Sequence, residues 1–299
     1  MSNTMESMRR KISSAGDLQA VVRTMKAMAA ANIGQYERAE RVLGDYDHNV
    51  RLGLGKCLRD LGPGMAMAAG PTPTGRAPVG VVVFGSDQGL VGRFNDDVAD
   101  FAVAALRGMG PNPRIWAVGE RVHDRLGDAG FPPAGRFAVP NSVSAVAPLG
   151  GRVLVEVEAE GGRAGGAITE LHLYYNRPAP GGRHAPVTQR LLPLDARWQQ
   201  EVLALTWPTA ALPEVLGETM PTLKALIREY LFVSLFRACA ESLASENASR
   251  LAAMQRADRN IDDLLETLSG NFHRLRKSSI DEELFDVTAG FEALGTDKA

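Results

Sequence analysis

Cysteine is nearly absent from this 299-residue chain: only Cys57 and Cys239 occur, both within helical sequence. Neither has a partner at metal-ligand spacing, and two thiols so placed suit a reducing compartment. The five histidines, His48, His123, His172, His184 and His273, form no local cluster, which removes the usual sequence signature of a metal centre. No run of 18 apolar residues exists, so no helix spans a bilayer. The opening MSNTMESMRRKISSAG is polar and lacks a signal-peptide core. A soluble protein is expected, one still able to dock on a membrane complex. Excess charge of one sign is missing too. With 33 basic and 35 acidic residues, the formal charge is -2. That argues against a whole-protein nucleic-acid or anionic-membrane binder and leaves room for a local patch. The apolar fraction of 45% is ordinary for a folded protein of one or two domains.

What is present is two helical arms. Met8, Ala15, Val22, Ala29, Tyr36, Leu43, Val50 and Cys57 recur at seven-residue intervals, with Leu18, Met25, Ala39 and Tyr46 in a second seam. Val233, Ala240, Asn247, Met254, Ile261, Leu268 and Leu275 repeat the pattern, with Phe236, Leu243, Ala257 and Leu264 beside them. The first stripe runs for about seven heptads, longer than a single globular helix, so a coiled coil is expected. Gly16, Gly34, Gly44 and Gly53 weaken that helix, each by up to about 1 kcal/mol, so it needs a partner. From about Thr219 to Gly290 the second arm is helical, with Gly270 its weak point. An intramolecular antiparallel pair is the economical arrangement, and a parallel homodimer of each arm is the competing one. Asn32 and Asn247 are polar seam positions able to set register.

Between the arms lies α/β sequence. LGPGMAMAAGPTPTGRAPVG is a linker. VGVVVF (79–84) is a buried strand, NDDVADFAVAALRG a helix capped by Asn95, RIWAVG (114–119) a strand and ERVHDRLGDAG a helix. This β-α-β-α order predicts a parallel sheet. SAVAPLGGRVLVEVEAE leaves helix and strand open. ITELHLYYNRP (168–178) and VTQRLLPL (187–194) read as strands of an edge hairpin, with GGRHAP as its turn or loop. TWPTAALPEVLGETMP returns the chain to the second arm. The expected divisions are 1–60, 76–195 and 213–299.

GSDQGLVGRFN (85–95) sits between strand and helix, where α/β domains bind ligands. Its glycines fit neither a dinucleotide fingerprint nor a phosphate loop, so a structural turn or a subunit contact is the better reading. No G-x-S-x-G elbow is present. Asp96/Asp97, Asp262/Asp263 and Glu282/Glu283 read as solvated helix faces, and Met25 and Met28 as packing. Two basic clusters, Arg9–Arg10–Lys11 and Arg274–Arg276–Lys277, are either solvated faces or contacts to an acidic partner. Glu241, Ser245, Glu246, Arg250 and Arg256 mix charge with small residues and would project around a shaft.

MRRKISSAGDLQAVVRTMKAMAAANI, GSDQGLVGRFN, LFVSLFRACAESLASENASRLAAMQRADRN and LRKSSIDEELFDVTAGFEAL resemble, in order and spacing, the gamma subunit of F-type ATP synthases. The blocks cover roughly a third of the chain. The resemblance implies an antiparallel two-helix coiled coil joined to a central Rossmann-like α/β domain. The coil would sit inside a ring of three alpha and three beta subunits, the domain toward the epsilon subunit and the membrane c-ring. Such a rotor couples proton or sodium flux to ATP synthesis or hydrolysis. It contributes no catalytic residue, cofactor or metal, and its place is peripheral, at the cytoplasmic face of the bacterial inner membrane. A free-standing coiled-coil scaffold that kept the fold is the alternative. Matching positions put shaft or subunit contacts at Arg9, Arg10, Thr24, Lys26, Met28, Asp87, Asn95, Glu241, Ser245, Glu246, Arg250, Arg276 and Glu283. Three departures, AAANIGQYERA without the usual lysine, Gln88 for a basic residue, and RKSSIDEEL in the tail, imply a divergent branch such as an alternate bacterial F-type ATPase.

Overall fold

A computed structural model describes residues 2–62, 79–109, 113–163, 168–180, 182–211 and 213–295. Most of the expected linker, residues 63–78, lies outside them. Helix α1 spans Ser2–Leu61 and the last helix, α6, spans Thr219–Gly295. Between them run β1 Val79–Phe84, α2 Phe94–Leu106, β2 Arg114–Val118, α3 Glu120–Asp128, β3 Gly135–Phe137, α4 Val143–Arg163, β4 Glu170–Ala179, β5 Arg183–Leu192 and α5 Ala196–Leu203. The chain forms two compact units, 1–28 with 251–299, and 29–250.

In the first unit α1 and α6 pair antiparallel. Arg9 lies over the Phe272 ring, Gln19 donates to Asp262 and Lys26 donates to Asp258, so one number falls as the other climbs. Val22, Met254 and Ile261 are its buried core, with Met25, Ala257 and Leu265 packed around them. The first heptad seam is buried as expected at Ala15, Val22, Met254 and Ile261. The second is buried only in part: Met25 and Ala257 pack against that core, but Leu18 is 54% exposed and Leu264 48%. Two helices bury only a narrow stripe of each other, and a straight helix drifts from a strict heptad. Leu265 therefore packs where Leu264 was expected.

The second unit is built on a sheet of order β3-β2-β1-β4-β5. β3, β2, β1 and β4 are parallel and β5 closes one edge antiparallel to β4. Alternation along the strands divides the core. Val81, Val83, Ile115 and Ala117 meet α2 and α3 through Val98, Ala102, Val122 and Leu126. Val82, Phe84, Trp116, Leu173 and Tyr175 face the other way, onto α4 and the helical arm at Tyr36, Leu235, Phe236, Cys239 and Leu243. The arm in this unit is also antiparallel: Asn32 donates to Asn247, and Tyr46 donates to Glu229 although it is 47% exposed rather than packed in a seam.

Of the two readings left open for 144–160, helix holds: residues 143–163 are helical because Val146, Leu149, Val153 and Val157, at three- and four-residue spacing, cover the sheet. Other expectations are corrected. Arg183–Pro186, expected in a loop, join the ladder opposite Ala179–Asn176. Pro186 is tolerated because β5 is an edge strand. Helix α5 was not anticipated; Asp195 caps it by accepting from the Trp198 amide, and Val202 packs with Leu54, Cys57 and Leu223. β3, three residues long, was also missed.

Candidate functional site

The turn at 85–95 is closed on itself. The Gly85 amide donates to Val118 O at 2.7 Å. The Asp87 carboxylate accepts from two backbone amides, Glu120 at 3.0 Å and Val139 at 2.8 Å, tying three loops together. Asn95 does not cap α2. Its side chain accepts from the Ser86 amide at 2.9 Å and donates to the Ser86 hydroxyl at 2.8 Å, while Arg93 takes the N-cap position without a side-chain cap. The Gly85 and Ser86 amides and the side chains of Ser86, Asp87 and Asn95 are thus engaged within the chain. Gly85 is required by space: a Cβ there would lie 2.5 Å from Val122 Cβ and 2.8 Å from Asn95 Oδ1. Gly85→Ala is expected to cost about 2–3 kcal/mol in denaturant unfolding. An unchanged midpoint would show that this crossing is looser than drawn.

The second set of residues lies on α6, where Glu241, Ser245 and Glu246 are buried and Arg250 nearly so. Glu241 accepts from Arg177 Nε at 2.7 Å and from Arg237 Nε at 2.8 Å. Ser245 donates to Asn176 O at 3.0 Å, and Asn176 in turn donates to Phe94 O at 2.8 Å. Arg250 donates to Glu246 at 2.6 Å. Ser249 and Asp97 lie 2.9 and 3.1 Å from the two ring nitrogens of His184. The expectation that Glu241, Ser245 and Glu246 project around the arm is corrected: this face of α6 turns to the β4–β5 hairpin and the central turn. Burial holds the Glu246 carboxyl above the usual carboxylate range, opposed by the Arg250 charge and helped by that of Asp87. The Glu241 bond holds the Arg177 guanidinium still more firmly protonated than usual.

The remaining expected residues lie outward in the first unit. Arg9, Arg10, Thr24, Arg276 and Glu283 are exposed, and Met28 is 60% exposed. Arg10 pairs with Glu6, and the Thr24 hydroxyl donates to Ala20 O. Lys26 is half-buried against Asp258, whose carboxyl it holds below the usual range with help from Arg23. Arg10 and Lys11 edge an open groove floored by Ala15, Ile261, Leu264 and Leu268. Asp258, Arg177, Asn176 and His184 escaped the sequence reading. Only YYNRP, noted for its strand pattern, held a signal for two of them.

Fold and site together define a class: a helical-arm protein whose buried polar residues hold the arm to an α/β domain, with no three acidic, histidine or cysteine groups placed to hold a metal among the described residues. A family model described as ATP synthase matches residues 4–294. The ATP synthase gamma chain of Parafrankia sp. (strain EAN1pec) is 30% identical over 239 residues, 76% of each chain. That of Moorella thermoacetica is 25% identical over 303 residues, covering 97% of this chain and 99% of its own. The fold is also that of a chain in the Euglena gracilis mitochondrial ATP synthase rotor in rotational state 1, with a TM-score of 0.61, 17% identity, and coverage of 94% of this chain and 100% of that one. The chain belongs to the ATP synthase gamma-chain family.

Proposed function

We propose that this chain is the central rotor stalk of an F-type ATP synthase, coupling ion translocation to ATP synthesis or hydrolysis in surrounding subunits. The observation that carries this reading is the family match over 4–294. In this reading 1–60 and 213–299 form the arm, held within a ring of three alpha and three beta subunits. Residues 76–195 form the domain, directed toward the epsilon subunit and the c-ring. The exposed Arg9, Arg10, Thr24, Met28, Arg276 and Glu283, with Lys26, are the ring contacts. The open groove beside Arg10 and Lys11 supports this, since its apolar floor and basic edge suit a protein surface bearing acidic groups. Asp87, Asn95, Glu241, Ser245, Glu246 and Arg250 set the shape that the ring senses. Asymmetric contact biases each catalytic subunit in turn between its conformations. No helix among the described residues is long and apolar enough to cross a membrane. A peripheral position at the cytoplasmic face of a bacterial inner membrane fits this reading.

Co-expression with ATP synthase alpha and beta subunits tests it. The expected product holds one copy of this chain per hexameric ring, with ATPase activity that depends on it. A homodimer that captures neither subunit would favour the scaffold alternative and end the rotor reading.

A further inference from the structure

Three residues on one ridge of α6, Glu241, Ser245 and Ser249, stand four apart and meet the β4–β5 hairpin at Arg177, Asn176 O and His184. Four-residue spacing puts them on one face of the helix, so these are successive rungs along a single line of contact. The first rung differs from the others. Its carboxylate is 4% exposed, and its two oxygens are each taken by a guanidinium, Arg177 from β4 and Arg237 from α6. Arg237 also reaches Glu40 of α1 at 3.6 Å. Arg177 continues to the Tyr175 hydroxyl at 2.9 Å and lies over that ring. One carboxylate therefore joins both arm helices to the sheet.

Beside these rungs the contact is apolar, Phe236, Cys239 and Leu243 against Leu173 and Tyr175, and each of the other two rungs rests on a single serine hydroxyl. Apolar attraction is non-directional and resists separation more than sliding or rotation. Charge-assisted bonds to a fixed carboxylate are directional and set the angle of the helix on the sheet. We infer that the Arg177–Glu241–Arg237 clasp is the torsional joint of this rotor, with Glu241 the positioning residue that stops α6 from turning against the sheet under load. This inference rests on the rotor reading, because only a turning chain loads the joint.

The test uses the chain assembled in an alpha/beta ring fixed to a surface. A bead is attached through Asp128→Cys, an exposed site, while both native thiols are buried. Angular variance of the bead is recorded with the ring arrested. Glu241→Gln and Arg177→Gln are each expected to raise the variance at least twofold. The double variant should rise no further than the larger single effect, and Arg177→Lys should recover part of the stiffness. Arg177 is half-exposed, so its variant removes one leg of the clasp while Glu241 keeps Arg237. A purely structural role would lower the melting temperature without moving the variance. Normal assembly with unchanged variance in both variants would overturn the joint alone. Failure of the unsubstituted chain to seat in the ring would remove the rotor reading and the joint with it.

Discussion

Met254→Asp is expected to open the pair formed by 2–28 and 251–295. The buried core of that unit is small, Val22, Met254 and Ile261, and Met254 is 2% exposed. The substitution removes a buried side chain worth about 2–3 kcal/mol of transfer free energy and puts an unpaired carboxylate in its place. A loss of at least about 3–5 kcal/mol follows, as for large truncations in a core. With so few alternative contacts, the helices should lose amide-exchange protection over 9–28 and 251–275 and fail to assemble with the ring. Leu264→Asp is the decisive control. The heptad pattern places Leu264 in the seam, but it is 48% exposed. Its replacement should stay within about 0.5 kcal/mol. Equal losses at the two positions would restore the heptad reading and refute the observed packing.

Glu246→Ala is the second large effect. It strands the Arg250 guanidinium, whose side chain is 13% exposed and whose Nε is already without a partner. Breaking a buried pair by removing one member costs about 3–5 kcal/mol. The reverse change, Arg250→Met, should cost less, because a carboxyl can take up a proton and a guanidinium cannot. Its cost should also depend on pH. The Glu246 carboxyl is already raised by burial, so between its ordinary value and the raised one the fold holds a proton that the unfolded chain has released. The contribution of this group is fully present below the ordinary glutamate range and is lost as pH rises through the higher folded value. Removing the Arg250 charge raises that value further. Arg250→Met should therefore be nearly neutral in acid and destabilising toward neutrality, as measured by urea unfolding across pH. Asp258 acts with the opposite sign. Lys26 and Arg23 depress it, so its contribution is present above the ordinary aspartate range and lost as pH falls through the folded value. A pH-independent cost for Arg250→Met would disprove proton uptake by Glu246.

Much of the fold was legible before any coordinates. The arms carry a seven-residue period and the first strand of the edge hairpin a two-residue one, while 79–84 and 114–118 are short apolar runs of strands buried on both faces; all follow from local geometry alone. Even the first seam was legible, since Ala15, Val22, Ala29, Tyr36 and Val50 are all buried. The short elements were not. β3 and α5 are too brief to show a period, and both exist because neighbours complete them: Trp116 and Val118 pair with β3, and Leu54 and Leu223 cover Val202 of α5. The site divided in the same way. Five polar residues on α6, Glu241, Ser245, Glu246, Arg250 and Arg256, were conspicuous in the sequence, but the direction they face was not, since polarity commonly marks a solvated helix face. The hairpin partners of Glu241, Ser245 and the unremarked Ser249, namely Arg177, Asn176 and His184, lie 64 to 69 positions away from them in sequence.

The sequence by itself determined two long helices around an α/β segment, and the blocks whose order marks the family. Those properties are local, set by periodicity and by short contiguous motifs. Only the tertiary structure decided that the polar row of α6 is an internal seat and that Leu18 and Leu264 stay outside the seam. Burial of a side chain depends on what covers it, and here the cover comes from residues far along the chain. The direction of a helix face against a sheet is settled only when both are present.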